Sequence, residues 1–258
     1  MTKKPTGIIC GDSSEVLKTL DSESIDLVVT SPPYDNLRTY NGYSFDFETI
    51  AAELVRTLKP GGVIVWVVGD ATVNGSETGT SFKQALYFMG LGLNLHDTMI
   101  YQKSVPPMND RRYQHSFEYM FVFSKGIPTT YNPIMVDKNY NDKRKSKNFH
   151  RYANGDYAKG FSNPASNKKP RENIWKIFAA GGSSDKIASQ HPAIFPEQLA
   201  ADHIRSWSNE GDTVLDPFNG SGTTTKMAYQ LNRNYIGIEI SQEYCDIANK
   251  RLEQGVLL

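Results

Sequence analysis

Thr213-Val-Leu-Asp-Pro-Phe-Asn-Gly-Ser-Gly-Thr-Thr224 is an apolar run that ends on an acid, a glycine-rich turn and the opening of a helix. The next apolar run, Tyr235 to Ile240, carries Glu239, 17 residues beyond Gly222 and 23 beyond Asp216. Physically this is the arrangement of a nucleoside site. The glycines let the backbone approach a ligand, and a carboxylate at the end of the following strand can accept from ribose hydroxyls. A Walker phosphate loop would need a Lys before its Ser or Thr, but Gly222 is followed directly by Thr223. A dinucleotide fingerprint would carry its third Gly where Thr225 stands. Asp216, beside the turn, suits a positively charged ligand better than a pyrophosphate. S-adenosylmethionine has an ammonium and a sulfonium and no phosphate.

Outward from this stretch, strand and helix patterns alternate. Gly7 to Cys10 and Ile25 to Thr30 read as buried strands. Apolar residues at 47, 50, 51, 54, 55 and 58 form one face of a 3.6-period helix. Lys59-Pro60-Gly61-Gly62 is expected to stop that helix before a strand over Val63 to Val68. Phe82 to Leu91 reads as a helix, and His96 to Gln102 and Phe117 to Phe123 as strands. Near the end, Phe195 to Trp207, Thr223 to Leu231 and Gln242 to Gln254 read as helices around the strands Thr213 to Asp216 and Tyr235 to Ile240. This alternation predicts an α/β fold, a mostly parallel sheet with helices on both faces.

In 258 residues, 28 Lys and Arg balance 28 Asp and Glu, so a uniformly basic coating protein is excluded and any nucleic-acid surface must be local. No run of about 18 apolar residues predicts a membrane helix, and the start, MTKKPTGIICGD, lacks the apolar core of a signal peptide. The two cysteines, Cys10 and Cys245, sit among apolar neighbours and are expected to be buried thiols. No metal-ligand spacing is present.

Strand Ile25 to Thr30 runs into Ser31-Pro32-Pro33-Tyr34. Two prolines remove two N–H donors and fix φ. The loop therefore offers carbonyl oxygens, a hydroxyl and an aromatic ring, a set suited to an exocyclic amine on a flat base. The Pro32 carbonyl and the Ser31 hydroxyl can accept the amine's hydrogens while Tyr34 stacks on the base. Such an amine is a poor nucleophile because its lone pair is delocalised into the ring. Acceptors that draw it toward tetrahedral geometry localise the lone pair for attack on a methyl sulfonium.

With these motifs in place, the sequence resembles the β-class DNA amino-methyltransferases over nearly its whole length. TSPPY at 30–34 looks like the catalytic motif and DPFNGSGTT at 216–224 like the S-adenosylmethionine motif, in the β-class order. GDS at 11–13, LKPGG at 58–62, HPAIFPEQL at 191–199 and IGIEIS at 236–241 match further, and RRYQHSFEYMFVFSK at 111–125 looks like the segment before target recognition. The resemblance implies a Rossmann-like methyltransferase fold of seven strands, one antiparallel, with a small inserted target-recognition region. It implies that Ser31, Pro32, Pro33 and Tyr34 hold the target base. Asp216, Phe218, Gly220, Gly222 and Thr223 would line the methionine side of the cofactor. Glu239 would take the ribose, Asp12 the adenine end, and Ile240 and Ser241 are expected beside the adenine; His191, Phe195 and Pro196 would close the pocket. For Asp12 a helix N-cap before Ser13 competes with that role. Asp70 can be a site acid or a turn residue. C5-cytosine chemistry is excluded separately, because it needs a Cys nucleophile in a Pro-Cys turn and neither Cys10 nor Cys245 is near a proline.

Between Asp137 and Lys176 eleven Lys or Arg face four acids, with aromatics and Asn interleaved. Here Lys143, Arg144, Lys145, Lys147, Arg151, Lys168, Lys169 and Arg171 are expected to hold phosphates of double-stranded DNA, and Asn, Gln and Arg to read base edges. The window sits where the family keeps its recognition region and is expected to order fully on DNA. The expected organisation is a catalytic half (1–125), a recognition region (126–176) and a cofactor half (177–258) of one domain. The target amine lies inside a duplex, so the base must be flipped out. Cytosine N4 is the first choice, because the family's Ser-Pro-Pro-Tyr variant accompanies cytosine more often; adenine N6 is the alternative. A cytoplasmic, nucleoid-associated enzyme is expected, with a homodimer and a cognate restriction endonuclease left open as partners.

Overall fold

The structure is a computed structural model, and it describes residues 6–33, 45–103, 113–138, 149–151, 157–159, 167–177 and 196–254. By its internal contacts the chain divides into two compact units, one of Met1–Asn132 with Asn173–Leu258 and the other of Pro133–Glu172.

The larger unit is built on one sheet. Its strands are β1 (Gly7–Cys10), β2 (Ile25–Thr30), β3 (Leu58–Val68), β6 (Asn94–Gln102), β7 (Phe117–Ser124), β12 (Ile174–Lys176), β13 (Thr213–Asp216) and β14 (Asn234–Glu239), with the hairpin β4 (Thr72–Val73) and β5 (Ser76–Glu77) following β3. The spatial order is β1-β14-β13-β2-β3-β7-β6-β12. All neighbours are parallel except β7, which runs antiparallel to β3 and β6. The expected single antiparallel strand is therefore present, but among the described residues the sheet has eight strands rather than seven. The addition is β12. Its Trp175 is buried and stacks on His203 with ring centroids 4.5 Å apart, while backbone bonds from Ile100 N to Asn173 O and from Ile177 N to Gln102 O sew it to β6.

Helices cover both faces. On one face, α1 (Ser13–Val16), α2 (Phe47–Thr57) and α3 (Thr80–Gly90), with the turn after α1, supply Leu17, Ile50, Leu54, Ala85 and Phe88 to a core shared with Val28, Ile64, Trp66, Phe121 and Phe123 of the sheet. The period-two alternation sends Leu27, Val29, Val65 and Val122 to the opposite face. There α4 (Glu197–Trp207) and α5 (Thr223–Gln230) lie, with His203 Nε2 3.2 Å from the sulfur of Met120. The last helix, α6 (Gln242–Gln254), packs beside α5, β1 and β14.

Lys59 to Gly62 does more than stop α2. The strand begins at Leu58 itself, and the pairing jumps from Ile25–Leu58 to Leu27–Val63, so the Pro-Gly-Gly run is a bulge inside β3. Gly61 takes φ +76° there, and its N–H donates to the Lys125 carbonyl at 2.6 Å. Asp70, just past β3, is a capping residue. It accepts from Ser81 N at 2.9 Å and from Ser81 Oγ at 2.5 Å, fixing the start of α3.

Among the described residues of the smaller unit are two antiparallel strand pairs, β8 (Met135–Asp137) with β11 (Lys168–Pro170), and β9 (Phe149–Arg151) with β10 (Tyr157–Lys159). Among the described residues no helix is long and apolar enough to cross a membrane, and no cluster of three or more His, Cys, Asp or Glu could hold a metal ion.

Candidate active site

The site is assembled where the adjacent parallel strands β1, β14, β13 and β2 all end. Asp216 closes β13 and Thr30 closes β2, its neighbour. The Thr30 hydroxyl donates to Asp216 Oδ1 at 2.6 Å, and the Thr224 hydroxyl donates to the Val29 carbonyl at 3.2 Å. These two bonds fasten the glycine-rich turn to the strand that leads into Ser31. Beyond it Ser31 and Pro33 are half-buried and Pro32 is buried. Tyr34 lies outside the described residues.

The turn is shaped by its own sequence. Gly220 and Gly222 take φ of +49° and +81°, which L side chains rarely adopt. A Cβ on Gly222 would also come within 2.7 Å of Ala248 Cβ on α6. Asn219 fills the floor. It lies over Gly237 of β14, its carbonyl accepts from the Thr225 hydroxyl at 2.9 Å, and a Cβ on Gly237 would meet its amide at 2.6 to 2.8 Å. The Ser13 hydroxyl donates to the Pro217 carbonyl, so the exit of β1 is also tied to this turn.

Two carboxylates converge here. Asp216 is 5% exposed. Besides Thr30 it accepts from Phe218 N at 3.0 Å. Burial pushes its carboxyl up to about 6, against the pull of these hydrogen bonds, and the charge of Glu239 adds to the rise. Glu239 ends β14 and accepts from Gly220 N at 2.8 Å and Ser241 N at 2.9 Å. Burial raises it too, opposed by its N–H donors. Among the described residues the hydrogen-bond partners of both acids are backbone N–H groups and hydroxyls, with no cation. A buried acidic site of this kind is stabilised by a ligand that brings positive charge.

The other expected residues fall as follows. Asp12 lies at the end of β1 and accepts from Ser14 N at 2.7 Å and Ser14 Oγ at 2.6 Å, so it is the N-cap of α1. β1 and β14 pair in register, with Cys10 opposite Glu239, which sets the Asp12 turn close to that acid. Thr223 opens α5, and Phe218 meets Phe45 edge-on at 5.3 Å and Trp66 at 6.2 Å. Ile240 follows Glu239 directly. Pro196 is the N-cap residue of α4. His191 and Phe195 lie outside the described residues, as do Lys143, Arg144, Lys145 and Lys147. Arg151 is in β9, Lys168 and Lys169 are in β11, and Arg171 follows. Lys169 pairs with Glu172 at 2.6 Å.

The expectation of two buried thiols is overturned. Cys10 is exposed and only Cys245 is buried. The apolar neighbours of Cys10 do not cover it, because β1 is an edge strand and its last residue stands at the open end of the sheet. The Cys245 thiol donates to the Glu239 carbonyl at 3.3 Å, and burial, with Cys10 nearby, holds its ionisation well above the ordinary thiol value. The sequence pattern also passed over Thr30, Ser13 and Arg251. For Arg251 a signal exists: it falls on the helical face that carries Cys245, Ala248 and Leu252, where a charged residue must have buried partners.

The DNA methylase model of the N6/N4 family matches residues 25–250. The orphan methyltransferase M.BamHII of Bacillus amyloliquefaciens is 59% identical over 241 residues, covering 91% of each chain. The type II methyltransferase M.SmaI of Serratia marcescens is 30% identical over 288 residues, covering 95% of this chain and 90% of that one. Among solved structures, the Thermus thermophilus protein TTHA0409, complexed with S-adenosyl-L-methionine, superposes with a TM-score of 0.67 at 26% identity, covering 98% of this chain and 95% of that one. The cytosine-N4-specific PvuII DNA methyltransferase superposes with a TM-score of 0.70 at 22% identity over 98% and 91%, which speaks for the fold. With its sheet order, its acid-flanked glycine turn and these relatives together, the chain belongs to the N6/N4 DNA methylase family, the β-class DNA amino-methyltransferases.

Proposed function

We propose that this chain transfers the methyl group of S-adenosylmethionine to N4 of a cytosine flipped out of double-stranded DNA. The observation that carries the proposal is the bond from Thr30 to Asp216. It joins the loop that offers acceptors for an amine to the turn that offers carboxylates for a cation, so the two substrates would meet across one hydrogen bond. The donor set suits the cofactor: Asp216 would answer its ammonium, Glu239 its ribose hydroxyls, and Phe218, Gly220, Gly222, Thr223, Ile240 and Asp12 would line it, with His191, Phe195 and Pro196 closing over it. When bound, the cofactor supplies an electrophilic methyl on a sulfonium. Ser31 and the Pro32 carbonyl accept from the exocyclic amine and localise its lone pair, while Tyr34 stacks on the base and Pro33 keeps the loop rigid. The choice of cytosine over adenine is supported by resemblance, since the Ser-Pro-Pro-Tyr form of the motif accompanies cytosine more often in the family. A cytoplasmic enzyme working on chromosomal DNA fits this activity.

Product analysis tests the choice of base. DNA methylated by the purified protein and digested to nucleosides is expected to contain N4-methyldeoxycytidine by mass and chromatography. N6-methyldeoxyadenosine as the sole product would overturn cytosine and leave the amino-methyl chemistry standing.

The basic segment is proposed as the DNA-holding surface, with Lys143, Arg144, Lys145, Lys147, Arg151, Lys168, Lys169 and Arg171 toward phosphates. Changing Lys143, Arg144 and Lys145 to Glu is expected to weaken DNA binding. It should also flatten the dependence of log K on log salt by about 0.9 for each phosphate no longer neutralised. Cofactor affinity should stay the same. An unaltered salt slope would reduce this segment to a solvated face.

A further inference from the structure

Arg251 lies on the last helix, 29 residues beyond Gly222, and its side chain is only 1% exposed. One guanidinium nitrogen donates to the Ser221 carbonyl at 2.6 Å, the Ser221 hydroxyl at 3.1 Å and the Thr223 hydroxyl at 3.1 Å. The other donates to Glu197 Oε1 at 2.8 Å. Lys226 reaches the same Glu197 oxygen at 2.8 Å. Glu197 is the first residue of α4 and directly follows 191–196, the stretch expected to close over the cofactor.

We infer that Arg251 is a positioning residue for cofactor binding: it holds the Gly220–Thr223 turn in its binding shape and fastens the start of α4 to it. The inference rests on the S-adenosylmethionine site proposed above. Ser221 precedes α5, so its carbonyl stands outside that helix's ladder and is served by Arg251. Gly220 and Gly222 make the turn permissive, and permissive backbone keeps one conformation only if something fixes it. A planar fork does this in a way an ammonium cannot, since it bonds the turn with one nitrogen and the carboxylate with the other. A Cβ on Gly222 would come within 2.7 Å of Ala248 Cβ, so α6, which carries Arg251, packs directly against the turn. The network approaches the turn from the α4–α6 side, and Asp216 and Glu239 hold it from the strand ends. Together they leave the turn little freedom to relax when the cofactor departs.

Arg251→Lys and Glu197→Gln separate this role from a general contribution to stability. The wild-type protein is first titrated with S-adenosylmethionine by calorimetry; no binding there would defeat the cofactor site itself, a different failure from the one tested next. In folded Arg251→Lys, with wild-type circular dichroism, the Kd for S-adenosylmethionine is expected to rise roughly ten- to thirty-fold, the usual cost of losing hydrogen bonds from a charged group. The loss should fall on the KM for S-adenosylmethionine rather than on kcat, with the KM for DNA unmoved. Glu197→Gln changes a more exposed partner and is expected to raise the Kd about three- to ten-fold with the same selectivity. If Arg251→Lys does not fold, Glu197→Gln decides alone. Unchanged cofactor affinity in a folded variant, or a parallel loss in kcat and in both KM values, would overturn the positioning role.

Discussion

The Ser31→Ala, Tyr34→Ala double variant is expected to bind S-adenosylmethionine as the wild type does and to methylate DNA roughly 30- to 1000-fold more slowly. Base stacking on an aromatic ring is worth about 1–3 kcal/mol and a single hydrogen bond about 1 kcal/mol, and together they raise the barrier by about 2–4 kcal/mol. The Pro32 carbonyl survives both substitutions, which is why activity should fall rather than vanish. Ser31 leaves the end of β2, one residue beyond the Thr30 bond to Asp216, and both partners of that bond are kept in the variant. Single-turnover methylation at saturating cofactor, alongside calorimetric cofactor binding, checks both halves. A double variant with wild-type turnover would remove these residues from the chemistry.

Asp216→Asn is expected to weaken cofactor binding about ten- to a hundred-fold at pH 8 and to abolish most of its dependence on pH. The sign follows from the raised carboxyl. In the free protein Asp216 titrates near 6, so below that pH it is neutral and has no charge to offer an ammonium. Wild-type affinity should therefore fall about tenfold per unit as pH drops below about 6, and level off above it. Stability of the ligand-free protein runs the other way. The folded pKa lies above the ordinary 3.8, so the contribution of this group is fully present below about 3.8 and is lost as pH rises through about 6. A cation in the site should reverse that loss. Titration calorimetry from about pH 5 to about pH 8 on both proteins checks this, and a wild-type affinity flat across the range would contradict the pairing.

The parallel core of the fold was legible because its signals are local. The runs IDLVVT and VIVWVV are too apolar for an exposed edge, and the spacing at 47, 50, 51, 54 and 58 allows only one helical face. Glu239 was legible for the same reason, since the acid lies at the end of its own strand. What escaped depends on partners far along the chain. The eighth strand is three residues long, and nothing in Ile-Trp-Lys announces that it pairs with β6 until Trp175 meets His203. The bulge at Pro60-Gly61-Gly62 reads as a helix stop, which it also is; its second role depends on the carbonyl of Lys125, more than sixty residues away. Cys10 looked buried because its neighbours are apolar, but the edge position of β1 decides its exposure. Thr30 is an ordinary residue in sequence, and the place of Arg251 on an apolar helical face says only that it needs buried partners, not which ones. Their roles come from Asp216, 186 residues distant, and from Glu197, 54 residues distant.

The chemistry at the centre of all this is movement of a methyl group from S-adenosylmethionine to an exocyclic amine of DNA. The most direct test incubates the purified protein with cofactor labelled in the methyl group and duplex DNA of mixed sequence, then digests the DNA and separates the nucleosides. The label is expected in an N-methylated nucleoside, in proportion to enzyme and time, and to accumulate roughly 30- to 1000-fold more slowly when Ser31 and Tyr34 are both replaced. Label in 5-methyldeoxycytidine, or DNA that takes up no label from a protein that binds the cofactor, would contradict this transfer.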